Sequence, residues 1–329
     1  MREIVRHEDI DLVLSYDEMA TRVAICAMHD VLERLIPVKP GWVTSTSWSP
    51  YSTEFIVFSA EDLVFFRKQP KYKRVNFTLI SGRVCQPVVD VVAAETLRSK
   101  YLEVHRVSKL ALCPVRIERG KLFFIDSALR SFDAISQLDK NIALLIIGAD
   151  QDPHFREELE DRVKNARVSI CTDPQYTRNL SSILPAADTV FAMGRTVMEA
   201  LLVQRRVFCP SGRDDAPLWE ITPENFFAAL SGNFTGRNSG RDLYLEIDQP
   251  KDTGAMARTT NFSHVISEHI SAEKAVPKYI AAHQRSLETS PDLRTRARAF
   301  CFSRARLCAL GLRLLARRLL DKKAPCESA

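Results

Sequence analysis

The chain has 329 residues, of which 46% are hydrophobic and 26% charged, with a formal net charge of +5 and only 11 glycines. This is the composition of a globular protein long enough for two domains of ordinary size, and it excludes a disordered chain. So few glycines leave little room for dinucleotide or P-loop turns, and neither GxGxxG nor GxxxxGK(S/T) occurs.

The charge is unevenly placed. From Arg294 onward ten Lys/Arg stand against two Asp/Glu, whereas the residues before it hold 36 basic and 39 acidic side chains. A near-neutral body with a basic end points to an anionic partner for that end, a membrane surface or a nucleic acid. The eight cysteines form no CxxC pair and mostly sit in apolar, strand-like runs. They read as reduced, buried thiols of a cytoplasmic protein rather than a disulfide frame or a zinc site. The start, "MREIVRHEDID", carries no apolar core of a secretory leader, and no apolar run approaches the roughly 18 residues of a membrane span.

In chain order, "IDLVLSY" (Ile10 to Tyr16) reads as a strand and "DEMATRVAICAMHDVLERL" as the helix after it. "WVTSTSW", "EFIVFSA" and "RVNFTLIS" are further strand candidates, and "VVDVVAAETLRSKYLEV" a helix. From Lys109 the rhythm becomes regular. "KLALCPVRI" is a strand, "KLFFIDSALRSFDAISQL" a helix, and "IALLIIGA" a strand apolar enough to be buried on both faces. "DPHFREELEDRVKN" is a helix opened by Asp152 and Pro153. Then come the strand "RVSICTD", the short helix "NLSSILPAA", the strand "TVFAM", the helix "RTVMEALLVQ" and the strand "RVFCP". Strands alternating with helices imply a parallel sheet covered on both faces. "SGNFTGRNSGR" (Ser231 to Arg241) reads as a surface loop.

Two stretches carry chemistry. In an open parallel sheet, ligands bind beyond the carboxyl ends of the strands. "TVFAM" ends there, and Gly194 begins the turn into the next helix. The first N–H groups of that helix, at Arg195, Thr196 and Val197, would point outward with the positive end of the helix dipole behind them, an arrangement suited to phosphate. The Arg195 and Thr196 side chains add donors. Glu199, one turn in, is placed to accept hydrogen bonds from hydroxyls of the same ligand. A phosphate beside vicinal hydroxyls describes a nucleoside diphosphate. The same features also suit an ordinary glycine turn with an acid that complements the dipole. The second stretch, "VRIERGKLFFIDSAL", puts Arg116 at a strand end and Lys121 at a helix start, so both cations fall at one sheet edge. Arginine offers a fork for phosphate oxygens and lysine a point charge.

The order of these elements resembles the donor-binding domain of GT-B fold glycosyltransferases, in particular the nucleotide-sugar family 4 group. The resemblance rests on Arg116 and Lys121, then "LLIIGAD", "LSSILPAADTVF", "VMEALL" and "RVF", with "VNFTLISGRV" upstream. It implies an α/β protein of GT-B type: a Rossmann-like donor domain, a shortened N-terminal α/β domain and a helical C-terminal tail. The corresponding division is 1–104, 105–250 and 251–329. It also implies a glycosyltransferase that moves a sugar from a nucleotide-diphosphate sugar to a glycan or lipid-linked acceptor, as in polysaccharide synthesis. The diphosphate would lie on Arg116, Lys121 and the turn from Gly194 to Thr196, with the ribose on Glu199. No bound metal or organic cofactor is implied, the nucleotide-sugar being a co-substrate, and no nucleic-acid partner is expected. The sequence departs from the family pattern in three places. Phe191 stands where the first glutamate of the E-x7-E pair is usual, Gln204 where a glycine usually precedes the last strand, and Tyr16–Asp17 where many members carry a histidine. These departures, with roughly a hundred residues before the donor domain, leave open a non-catalytic scaffold. A different nucleotide-sugar enzyme of the fold, such as an epimerase, also stays open.

Asp17 and Glu18 follow the first strand and could serve as a base or acceptor contact, or Asp17 could cap the helix. His29 and His105 have no partner at useful spacing and read as structural, and Trp42 and Trp48 as packing residues. In the tail (294–323), Arg306, Arg313 and Arg317 form one stripe, and Leu307, Leu310 and Leu314 another. Such a basic amphipathic helix either lies peripherally on an anionic surface, here the inner face of the plasma membrane, or packs on the body by its leucines.

Overall fold

The structure is a computed structural model that describes residues 8–28, 32–40, 48, 52–163, 165–211, 217–236, 262–289, 291, 295–301 and 303–305. The chain forms two compact units. One comprises residues 1–58, 62–80 and 277–329, the other 59–61 and 81–276. The division differs from that expected at residue 104, which would fall inside a helix whose Ala94, Leu97 and Tyr101 belong to the core of the second unit.

The first unit is a four-stranded parallel sheet in the order β1 (Val13–Ser15), β2 (Leu35–Lys39), β3 (Glu54–Val57), β4 (Asn76–Leu79). Helix α1 (Glu18–Met28) joins β1 to the β2 side, and α2 (Ala60–Arg67) links β3 to β4. The helix expected from Asp17 to Leu35 is described as α only to Met28; Leu32–Arg34 form a 3-10 turn and Leu35 opens β2. Ala24, Ile25 and Met28 of α1 pack with Leu35. On another face, Phe55, Phe66, Tyr72 and Trp48 form an aromatic cluster, with Tyr72 donating its hydroxyl to the Trp48 carbonyl at 2.9 Å. Trp48 is thus a packing residue. Trp42 and His29, and all of "WVTSTSW" but Trp48, lie outside the described residues.

The second unit opens with α3 (Val91–His105), capped by Asp90 through the Ala93 N–H. Its six-stranded sheet has the order β10-β9-β8-β5-β6-β7, with β5 (Lys109–Pro114), β6 (Ile142–Ile147), β7 (Val168–Cys171), β8 (Thr189–Phe191) and β9 (Arg206–Cys209) all parallel. Only β10 (Trp219–Glu220) runs antiparallel, at the edge. Along β5, Leu110 and Leu112 enter one apolar cluster while Ala111 and Cys113 enter another. Along β6, Leu145 and Ile147 alternate with Leu144 and Ile146 in the same way. Period-two alternation between two apolar sides is what a sheet covered on both faces requires. Helices α4 (Leu122–Leu138) and α5 (Pro153–Arg162) cover one face. Helix α3 and the later helices α6 (Pro174–Thr177), α7 (Arg195–Leu202), α8 (Phe226–Ser231) and α9 (Phe262–Ile270) belong to the other. Helix α10 (Ala272–Glu288) begins in this unit and carries the chain back into the first at Pro277.

The described cysteines are all free, and Cys113, Cys171 and Cys209 are buried. Burial pushes the Cys113 thiol well above its ordinary range and that of Cys209 up to about 12. Among the described residues no helix is long and apolar enough to cross a membrane.

Candidate active site

The sheet order of the second unit fixes where a ligand can enter. The chain runs outward from β5 through β6 to β7, then returns to lay β8 and β9 on the other side of β5. The reversal opens a crevice past the carboxyl ends of β5 and β8, the position at which open α/β sheets take their ligands. Arg116 and Lys121 leave the end of β5, and Gly194 leaves the end of β8. The two stretches singled out in the sequence therefore stand on adjacent strands at one edge.

After β5 the chain stays attached to β6: Val115 N–H donates to the Ile147 carbonyl (2.9 Å) and Ile117 N–H to the Ala149 carbonyl (3.0 Å). The approach is so close that a Cβ on Gly148 would sit 1.7 Å from the Val115 carbonyl oxygen, which is why the end of β6 takes glycine there. Arg116 projects from this segment, more than half exposed, 3.2 Å from Glu118. A 3-10 turn, Arg119–Lys121, follows and brings Lys121 to the N-cap of α4, half-buried.

Gly194 has φ +59° and ψ −128°, a conformation in which only glycine is unstrained. It is the N-cap of α7, so the first N–H groups, those of Arg195 and Thr196, have no partner inside the helix. The expected third outward donor is not available: Val197 N–H donates to the Gly194 carbonyl at 3.2 Å, closing the first turn. Glu199 is buried, with the Arg195 Nε donating to its Oε1 at 2.7 Å from a largely exposed side chain. The carboxylate thus sits one turn below the two outward N–H groups, paired on its solvent side with an exposed cation.

The "SGNFTGRNSGR" stretch is not simply a surface loop. Ser231 closes α8, Phe234 is fully buried, and the Phe234 carbonyl accepts the Gly194 N–H at 3.0 Å. Asn233 and Phe234 both hold positive φ (53° and 55°), a strain maintained by N–H bonds to the Leu230 and Ala229 carbonyls. This turn fixes the phosphate-type turn from behind. Its only trace in the sequence is the Gly-Asn pair, which reads as loop chemistry until the burial of Phe234 is known. Residues 237–241 lie outside the described residues.

The remaining candidates fall into structural roles. Asp17 caps α1, its Oδ1 accepting the Ala20 N–H at 2.7 Å, and neighbouring Glu18 pairs with Arg22. His105 bridges the Ala166 carbonyl and the Ser169 hydroxyl, tying α3 to β7. The aspartate of "AAD", Asp188, accepts Arg98 and the Leu110 N–H at 2.8 Å each, joining α3, β5 and the approach to β8. No cluster of three metal-ligating side chains occurs among the described residues.

No protein-family model matches the chain, nor does any curated protein. Solved structures do match in fold. A glycosyltransferase from Rickettsia africae shares 15% identity at a TM-score of 0.55, over 88% of this chain and 80% of that one. The catalytic domain of starch synthase IV from Arabidopsis thaliana shares 13% identity at a TM-score of 0.51, over 87% of this chain and 75% of that one. The fold is of GT-B type. The second unit carries the six-stranded sheet and the first the four-stranded one.

Proposed function

We propose that the chain is a glycosyltransferase that uses a nucleotide-diphosphate sugar. One observation carries the reading: Arg116 and Lys121 on one side and the Gly194 turn with Glu199 on the other flank the switch point between β5 and β8. In this reading the diphosphate accepts the Arg195 and Thr196 N–H groups and meets the two cations. The ribose hydroxyls bond Glu199, and Arg195 turns from that carboxylate toward the phosphates. An acceptor hydroxyl oxygen bonds the anomeric carbon of the sugar as its bond to the diphosphate breaks, and the hydroxyl gives its proton to water. The nucleoside diphosphate leaves with the electron pair, and the charge it gains is what Arg116, Lys121 and the helix N-terminus stabilise. No metal or organic cofactor is needed in this scheme. The Arabidopsis relative in fold was solved with ADP and acarbose bound, which supports a nucleotide in this crevice. We place the acceptor among glycans or lipid-linked glycans, the latter if the basic tail docks on an anionic membrane.

The test is a thermal-shift and calorimetry series with UDP, GDP, ADP and their sugars. A ligand at a hundredfold excess over its Kd should stabilise the fold by about 2.7 kcal/mol. Lys121→Ala should weaken the diphosphate by roughly 10- to 100-fold, the loss of one charge-assisted bond of about 1.5–3 kcal/mol, and leave the bare nucleoside nearly unaffected. Equal loss for both ligands, or no response to any nucleotide, rejects the reading.

A further inference from the structure

The first unit carries a second concentration of charge, far along the chain from the residues above. Between Arg67 and Arg74 the sequence "RKQPKYKR" holds five cations and no acid. Arg67, Lys68, Lys71, Lys73 and Arg74 are all exposed. Lys71, Lys73 and Arg74 line a pocket of about 560 Å³ whose opposite wall is the returning C-terminal segment, including Arg298. None of the ten residues lining it is acidic. Among the described residues Lys73, Arg74 and Arg298 have no carboxylate within ion-pair distance. Two carboxylates of this unit are engaged elsewhere, Glu54 by Arg285 at 3.1 Å and Glu33 by Arg296 at 2.9 Å.

Position separates this pocket from any acceptor crevice of its own sheet. Ser52 and Thr53 precede β3, and Arg74 precedes β4, so the pocket lies at the amino edge of the parallel strands. Ligands of open parallel sheets bind at the other edge. The ordinary explanation is that the cations complement the negative ends of α2 and α10, which finish at Arg67 and Glu288. Each helix end amounts to roughly half a charge, about one in all. The four cations lining the pocket exceed that. Their mutual repulsion in a concave site is relieved by an anion, and the pocket is of a size that takes a small ligand.

We propose that this pocket is a phosphate-binding site, recognising a phosphate or diphosphate group through Lys71, Lys73, Arg74 and Arg298. The group can come from an anionic phospholipid headgroup or from a free phosphate compound.

The full-length chain is titrated with inorganic pyrophosphate by calorimetry, in a Lys121→Ala background so that the candidate donor site contributes little. It is also sedimented with vesicles of phosphatidylglycerol and phosphatidylcholine. Lys73→Glu/Arg74→Glu should weaken pyrophosphate binding at least tenfold, and Lys73→Arg should preserve it. Arg298→Glu, on the opposite wall, serves as an independent variant should the double variant fold poorly. If vesicle binding falls alongside and pyrophosphate competes for it, the headgroup is the source. If vesicle binding is unchanged while pyrophosphate binding falls, the ligand is a free phosphate compound. Pyrophosphate binding that is undetectable, or indifferent to both the double variant and Arg298→Glu, overturns the proposal. Because the background lacks Lys121, failure here is distinct from failure of the donor-site reading.

Discussion

At the scale of single residues, Glu199 inside α7 and Gln204 just past its end behave differently. Glu199 is buried and paired to an exposed Arg195, so Glu199→Gln removes a screened ion pair worth less than about 1 kcal/mol of stability. Its effect belongs in binding. It should weaken ribonucleotides more than their 2′,3′-dideoxy analogues, measured by calorimetry, and equal weakening would make Glu199 a structural residue. Gln204 sits at φ +58° just past α7. Its N–H donates to the Leu201 carbonyl and the Arg205 N–H to the Ala200 carbonyl, each at 3.0 Å. That is a Schellman ending, whose left-handed residue is usually glycine. The backbone thus keeps the glycine conformation with a glutamine in it. Gln204→Gly should raise stability by about 1 kcal/mol in denaturant titration, since a left-handed L-residue costs roughly 1–2 kcal/mol. No change, or a loss, would mean that the side chain repays the strain.

At the scale of elements, the junction of α3, β5 and β8 depends on Asp188. Its Oδ2 accepts Arg98 and the Leu110 N–H, and Arg98 also donates to the Ala186 carbonyl at 2.7 Å. Asp188→Ala should cost about 1.5–3 kcal/mol and loosen the start of β5, read as faster amide exchange at Leu110. Unchanged exchange there would place the anchor elsewhere. The second unit was largely legible in the sequence because its central strands β6 and β8 are wholly buried and helices α3, α5 and α6 open on aspartate caps. Asp152, for example, accepts the Phe155 N–H ahead of Pro153. The first unit was less so. Strand β2 contains Pro37, which lacks a ladder donor and argues against a strand, yet it pairs with Ser15 in the sheet. The turn at Asn233 and Phe234 reads as exposed, because sequence signals a turn but not its burial. In the site, the edge occupied by Arg116, Lys121, Gly194 and Glu199 was legible. The closed Val197 N–H follows from the backbone angles of Gly194, and the Phe234 support behind Gly194 from a contact between residues distant in sequence.

At the scale of the whole molecule, the basic tail divides into two parts. Residues 295–301 and 303–305 are helical, Ala299 and Ser303 are fully buried, and Arg296 pairs with Glu33. This part packs on the first unit, whereas Arg294 and residues 306–329 lie outside the described residues. A chain ending at Ala305 should keep its fold and lose the salt-resistant part of any binding to anionic vesicles, because Leu307, Leu310 and Leu314 are gone. A chain ending at Asp292 should melt earlier and aggregate. Co-sedimentation at low and high salt, with melting curves for both, checks the pair. Salt-resistant binding retained at Ala305 would remove the membrane role of the tail. The return of the chain at Pro277 bears on the timing of folding as well. The carboxylate of Glu54 is fully buried, and its partner Arg285 arrives 231 residues later. A ribosome therefore finishes every residue of the second unit before it supplies the cation that neutralises the sheet it made first. The second part of the chain to be synthesised is the first able to close its core, and the amino-terminal sheet must wait, with its acid exposed to water, until the last helices emerge.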